Sequence, residues 1–339
     1  MRSGSEVRPQ KIYDAFLSEG HDVKLLSCIQ NQRKRRKKAV LEIMEWLDAN
    51  TPDICYVEPP SGPFFNHIDH ILLKKAHKMG IPISLFYRDA FWKFAKKWWD
   101  IGALKKFFLI RMHKYDLRLF SKVCRIMYFP SQTMADLFSF PDKRPLPPAG
   151  DGLVERTALK NEIPRAIYVG GMSGAYGSKI MLEAFSGLNS ISLQSHLTVV
   201  SREGEDADVL KPYIGCEWLS VVNASGNELK EHYMRSDYAV IPVKRDFYMD
   251  FAMHVKMFEY MSYGLPAVST DCFETARFIE KYDIGIVTGS NPMSFKHGLE
   301  RMISEPGLMG KCSENAKKAL VSENLWIHRV RKIAGDLTK

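Results

Sequence analysis

His254–Thr270 reads HVKMFEYMSYGLPAVST. The pattern predicts a helix from Val255 to Tyr263 that stops at Gly264, a residue suited to the left-handed turn closing a helix. Pro266 bars continuation of the helix, and Ala267–Thr270 re-enters a sheet. Helix, tight turn and short apolar strand in succession are the signature of an α/β chain with parallel strands. Lys256 falls in the first helical turn, where the helix dipole slightly disfavours a cation unless an anion binds nearby. Glu259 lies three residues on and shares its face, placed to accept hydrogen bonds from sugar hydroxyls. A plain surface ion pair, worth roughly 0.3 kcal/mol, is the competing reading.

The same rhythm runs outward through the 339 residues. The first half is expected to hold a helix over Pro9–Glu19, opened by its proline, and a strand over His21–Ser27. An amphipathic helix (Ala39–Leu47) and strands at Asp53–Pro59, Ile81–Asp89 and Arg125–Ser131 follow, with a helix over Ile71–Lys78. Prolines and glycines crowd the end of Phe140–Gly152, which marks a linker. The second half places strands at Ala166–Val169, His196–Ser201, Trp218–Val222, Tyr238–Val243, Ala267–Thr270 and Ile284–Thr288. A doubly wound domain opens on a strand, yet Arg2–Pro9 reads as the loop after one, so a first strand of about six residues is expected to be missing.

Composition narrows the class. The chain is 45% hydrophobic and 26% charged, enough for two cores. Its longest apolar runs are too short to cross a bilayer, and MRSGSEVRPQ lacks the apolar segment of a secretory signal. Six scattered cysteines show no metal spacing, as expected of reduced cytosolic thiols. A formal charge of +9 points to a polyanionic partner. Arg33–Lys38, RKRRKK, and the aromatic, lysine-rich Ser84–Lys114 concentrate that charge. In the stretch from Phe91, Phe91, Trp92, Phe94, Trp98 and Trp99 alternate with Lys93, Lys96 and Lys97. Such a segment either lies on an anionic membrane or packs as a core helix with wet lysines. No nucleic-acid motif accompanies the charge, so no nucleic-acid partner is expected.

Cations converge on one sheet edge in the second half: Arg202 after His196–Ser201, Lys244 with Arg245 after Tyr238–Val243, and Lys256 in the first turn of the helix from Val255. Tyr168–Lys179, YVGGMSGAYGSK, adds a glycine-rich turn whose N–H groups suit phosphate. It is neither a dinucleotide fingerprint nor a phosphate-binding P-loop.

These residues resemble the GT-B glycosyltransferases, specifically the family 4-like group 1 enzymes. VKMFEYMSYGLPAVST is similar to their donor-site segment, and IYVGGMSGAYGSKIMLEAF (167–185) to the opening of their C-terminal domain. LPPAGD (Leu146–Asp151) matches their linker, DYAVIPV (Asp237–Val243) the strand before the donor helix, and Arg2–Ser27 their first loop and helix. The resemblance implies two Rossmann-like doubly wound domains facing across a cleft. Residues 1–145 would bind the acceptor, 146–152 would link, 153–322 would bind the nucleotide sugar, and a helix in 323–339 would cross back. It implies a metal-independent, retaining transferase with no cofactor and a UDP- or GDP-sugar donor. Glu259 would hold the donor ribose, while Gly170, Gly171 and the helix start at Val255 would meet the diphosphate. Lys256, Arg202 and Lys244 are the candidate clamp, and Asp89 or Glu58 the base should the reaction invert.

A lipid-linked or glycan acceptor in surface-polysaccharide assembly is expected, with the protein in the cytoplasm or on the cytoplasmic membrane face. The family's arginine, lysine and first glutamate are replaced by Gly171, Tyr176 and Phe251. A non-catalytic glycan- or partner-binding subunit, a nucleotide-sugar epimerase on the same fold, and a basic RNA-binding protein are the rival readings.

Overall fold

The computed structural model describes residues 4–94, 100–156, 161–202, 204 and 207–338. The chain forms two compact units, Val7–Pro147 with Ile327–Lys339, and Pro148–Trp326 with Met1–Glu6.

The first unit is built on α1 (Gly4–Ser18), α2 (Arg33–Ala49), β1 (Cys55–Val57), α3 (His67–Lys78), β2 (Ile83–Phe86), α4 (Ala103–Val123), β3 (Ile126–Phe129), α5 (Gln132–Asp136) and β4 (Lys143–Pro145). Its four strands are all parallel, in the order β1-β2-β3-β4. Every residue of β2 and β3 is buried, as expected for strands covered on both faces.

The second unit carries β5 (Arg165–Val169), α6 (Ser178–Leu188), β6 (His196–Val200), α7 (Ala207–Leu210), β7 (Leu219–Val222), α8 (Gly226–Arg235), β8 (Tyr238–Ile241), α9 (Val255–Ser262), β9 (Ala267–Thr270), α10 (Phe273–Tyr282), β10 (Gly285–Thr288), α11 (Pro292–Ser304) and α12 (Leu308–Glu323). Its six parallel strands run β10-β9-β8-β5-β6-β7, the doubly wound order. Phe185, Phe295, Leu299 and Met302 from α6 and α11 form one core layer. Phe258, Met261, Ile279 and Leu320 from α9, α10 and α12 form another.

The last helix, α13 (Trp326–Thr338), belongs mostly to the first unit. Val330, Ile333 and Leu337 recur on one buried face, each side chain contributing about 1.5–3 kcal/mol. Tyr128 donates to Asp336 at 2.7 Å, and the Arg329 guanidinium donates to the carbonyl of Pro147 at 2.9 Å.

The structure departs from the sequence reading at several points. His21–Ser27 is not a strand: no described strand pairs with it, and its side chains are exposed or half-exposed. Pro9 lies inside α1 rather than at its start. RKRRKK opens α2, so the helix begins six residues before the expected Ala39. Lys143–Pro145, read as linker, adds β4 to the sheet, and the Leu146 amide extends that ladder by donating to Phe129 at 2.7 Å.

Candidate functional site

Parallel register brings the carboxyl ends of β5, β6 and β8 to one edge, with the strand order reversing between β5 and β8. Open α/β sheets hold their ligands at such a switch point. The glycine-rich loop leaves β5 and closes over the exit of β8. Lys244 donates its backbone N–H to Ala175 at 3.2 Å, and Gly177, at φ +72°, has no room for a side chain above Pro242. Tyrosines anchor the ends of this loop. The Val169 amide donates to the Tyr260 hydroxyl at 3.1 Å, and the Tyr168 hydroxyl donates to the carbonyl of Gly171 at 2.5 Å. The Gly170 amide donates to Val200 at 3.1 Å, so this N–H, expected to meet a diphosphate, is engaged in the sheet.

Helix α9 starts at Val255 on the same edge. Lys256 and Glu259 form an ion pair at 2.8 Å, each about a third exposed. The Tyr233 hydroxyl, from α8, donates to the same oxygen, Oε2 of Glu259, at 2.8 Å. Burial, reinforced by the Glu259 charge, pushes the Tyr233 phenol well above its ordinary pKa, so it remains a donor. Tyr233 also stacks on Tyr263, with ring centroids 4.6 Å apart. Glu259 is therefore held through one oxygen, while Oε1 has no partner among the described residues. Tyr233 was not singled out from the sequence, because nothing local links position 233 to position 259.

The other expected cations differ in their surroundings. Arg202 is exposed beyond β6, and Lys244 is exposed beyond β8. Arg245 is neutralised by Asp250 and Asp271, each at 3.0 Å. Phe251, at the place of the family's first glutamate, is buried against Tyr248 with ring centroids 4.8 Å apart. Tyr176 is exposed. The His254 ring precedes α9, its buried Nε2 has no hydrogen-bond partner among the described residues, and burial lowers its pKa to about 4.

In the first unit, Asp89 follows β2 and accepts the Phe91 amide at 2.7 Å, starting a short helical turn. Glu58 is enclosed. Arg8 donates to one of its oxygens at 3.0 Å and Arg88 to the other at 3.2 Å, while the Tyr56 hydroxyl adds a bond of 2.7 Å. Both oxygens of the carboxylate are thus already engaged by guanidinium groups. The basic aromatic stretch divides. Trp92 is buried, stacked on His113 at 5.0 Å with its N–H donated to Tyr87 at 2.8 Å, as a core residue would be. Lys96, Lys97, Trp98 and Trp99 lie outside the described residues. A cavity of about 330 Å³ lined by His77, Pro82, Lys122 and Arg125 lies at the amino ends of β2 and β3, the edge opposite Asp89.

Two parallel α/β sheets, the second in doubly wound order, give the chain the GT-B fold, the architecture that the family resemblance implied. Residues 163–305, which span the second sheet, match the family model of the glycosyl transferases group 1, so this part of the chain is similar to that family. The structure is similar to that of WaaG, a glycosyltransferase involved in lipopolysaccharide biosynthesis. The two share 15% identity at a TM-score of 0.64, over 100% of this chain and 97% of WaaG. It is also similar to Anabaena HepE, solved with UDP and glucose, at 11% identity, TM-score 0.67 and coverage of 99% and 96%. A third similar structure is the sucrose-phosphate synthase of Thermosynechococcus elongatus, at 10% identity, TM-score 0.66 and coverage of 98% and 92%. No curated protein matches the chain. Among the described residues, no helix is long and apolar enough to cross a membrane.

Proposed function

We propose that this protein transfers a sugar from a UDP- or GDP-sugar to an acceptor hydroxyl, and that the donor occupies the switch point of the second sheet. The observation that carries the reading is Glu259, fixed through Oε2 by Lys256 and Tyr233 with Oε1 left open for ribose hydroxyls. The bond between the anomeric carbon and the diphosphate oxygen breaks, and the diphosphate leaves with the electron pair. The acceptor oxygen bonds to that carbon, and its proton passes to the leaving diphosphate. Charge growing on the diphosphate is met by Lys256, Lys244, Arg202 and the start of α9 at Val255, preorganised groups of the kind that stabilise a transition state. The sugar passes through an oxocarbenium-like state. This arrangement assigns charge neutralisation to side chains rather than to a metal, and the family resemblance favours retention. The acceptor is assigned to the first unit, with Asp89 the residue to test there and a lipid-linked glycan the favoured class.

A calorimetric titration with UDP, GDP and ADP in EDTA, on wild type and Glu259→Ala, tests the donor site. Binding of one nucleotide that the variant loses supports it; equal binding by both proteins overturns the role of Glu259. The buried Phe251 and the glycine at 171 favour a second reading, a non-catalytic subunit. Nucleotide binding without hydrolysis or transfer of any UDP- or GDP-sugar would select it.

A further inference from the structure

Helix α4 breaks the rules of a solvated helix at its amino end. Leu104 is 71% exposed, and Phe107 and Phe108 are each 56% exposed. The three lie within two turns at spacings that share one face. The same two turns carry Lys105 and Lys106, where the dipole disfavours cations, and hold no acidic residue. The N-cap, Gly102, has no side chain to satisfy the first amides. Further along, Arg111, Lys114, Arg118 and Lys122 are all exposed. The acids between positions 100 and 123 are Asp100, ahead of the helix, and Asp116, which is buried and paired with His70 at 2.7 Å. At 1.5 Å per residue, Arg111 stands about 10 Å along the axis from Leu104. Apolar tips at one end and a ladder of cations behind them match the layering of acyl boundary and headgroups in a bilayer.

We propose that the amino-terminal half of α4 docks on an anionic lipid bilayer, seating Leu104, Phe107 and Phe108 at the acyl boundary. Lys105, Lys106, Arg111 and Lys114 then meet lipid phosphates. Charge decides the occupant: a second copy of the chain would bring the same cations against themselves, whereas anionic headgroups neutralise them. The proposal rests on the first unit alone and stands independently of the donor site.

The test is co-sedimentation of the full chain, without nucleotide or acceptor, with vesicles of phosphatidylcholine alone or mixed with phosphatidylglycerol. Wild type should pellet with the anionic vesicles and stay in solution with the neutral ones. Phe107→Ser/Phe108→Ser and Lys105→Glu/Lys106→Glu should each weaken anionic binding roughly tenfold or more, the second also removing the salt dependence. Thermal melts check that these exposed substitutions leave the fold intact, and Phe107→Trp/Phe108→Trp, which keeps the apolar tips, should bind as wild type. Wild type that ignores both vesicles, or charge and apolar variants that bind unchanged, overturns the proposal. A wild-type dimer that Phe107→Ser/Phe108→Ser converts to monomer also overturns it, in favour of a self-interface.

Discussion

A Cβ on Gly177 would stand 1.7 Å from the carbonyl oxygen of Pro242. Gly177 also has φ +72°, a conformation that side-chain-bearing residues adopt at a cost of about 1–3 kcal/mol. The glycine turn is thus a packing device that lays the β5 loop on the exit of β8, whatever it binds. Gly177→Ala should destabilise the second unit by at least about 3 kcal/mol, the strain and the backbone clash adding. Gly174→Ala, three residues away with open space around it and no positive φ, should be close to neutral. Urea unfolding of the two variants checks this; equal midpoints would mean that the loop moves freely off Pro242.

Glu259 offers a choice between ligand and ornament. If it serves only as an exposed ion pair, Glu259→Ala alters stability by less than about 0.5 kcal/mol and leaves nucleotide binding unchanged. The bond from Tyr233 argues otherwise, since a buried tyrosine donates to the oxygen that also receives Lys256. Tyr233→Phe removes one hydrogen bond to a partly exposed carboxylate, worth about 0.5–1 kcal/mol, and frees the carboxylate to rotate. Nucleotide affinity should fall by about tenfold or more while the melting temperature shifts little. Titration of the Phe variant with the nucleotide that wild type binds decides it.

Glu58 behaves differently. Both of its oxygens are bonded to guanidinium groups, and the Arg8 guanidinium also lies 3.6 Å from the Phe86 ring centroid. Glu58→Ala leaves two buried cations without their shared carboxylate and should cost about 3–5 kcal/mol in folding of the first unit. Asp89→Ala loses the turn-capping bond to the Phe91 amide, a change that should cost about 1 kcal/mol. Guanidinium unfolding of the two variants, run before any activity assay, separates loss of fold from loss of a base.

What the sequence revealed follows the range of each interaction. The helix, turn and strand of His254–Thr270 are coded within a few residues, so Val255, Gly264 and Ala267–Thr270 fall where the pattern puts them. Helix length was less legible: charge hid the first turns of α2, whose Arg36 is pinned to Asp69 at 2.9 Å by a contact between positions far apart in sequence. Tyr233 against Glu259, Pro242 against Gly177 and Trp92 against His113 are likewise tertiary facts with no local mark. His21–Ser27 shows the converse, since alternating residues make a strand only when another strand offers its ladder.

Acid should loosen the first unit through His113. The ring is buried between Trp92 and Tyr87, and burial lowers its pKa from 6.5 to about 4. Between those two values the unfolded chain takes up a proton that the folded one refuses, so acid favours unfolding. The stabilising contribution is complete above pH 6.5 and is lost as pH falls towards 4, at most about 3 kcal/mol. His113→Phe keeps the stack on Trp92 but cannot titrate. Between pH 7 and pH 5 its stability should fall by about 2 kcal/mol less than that of wild type, read from urea midpoints at the two pH values. His254, buried at Nε2 and lowered in the same direction, adds a parallel acid sensitivity to the second unit, which His254→Gln should remove. Identical pH dependence in wild type and His113→Phe would mean that the ring takes up its proton at the same pH in the folded and unfolded chain, so that burial does not hold it neutral.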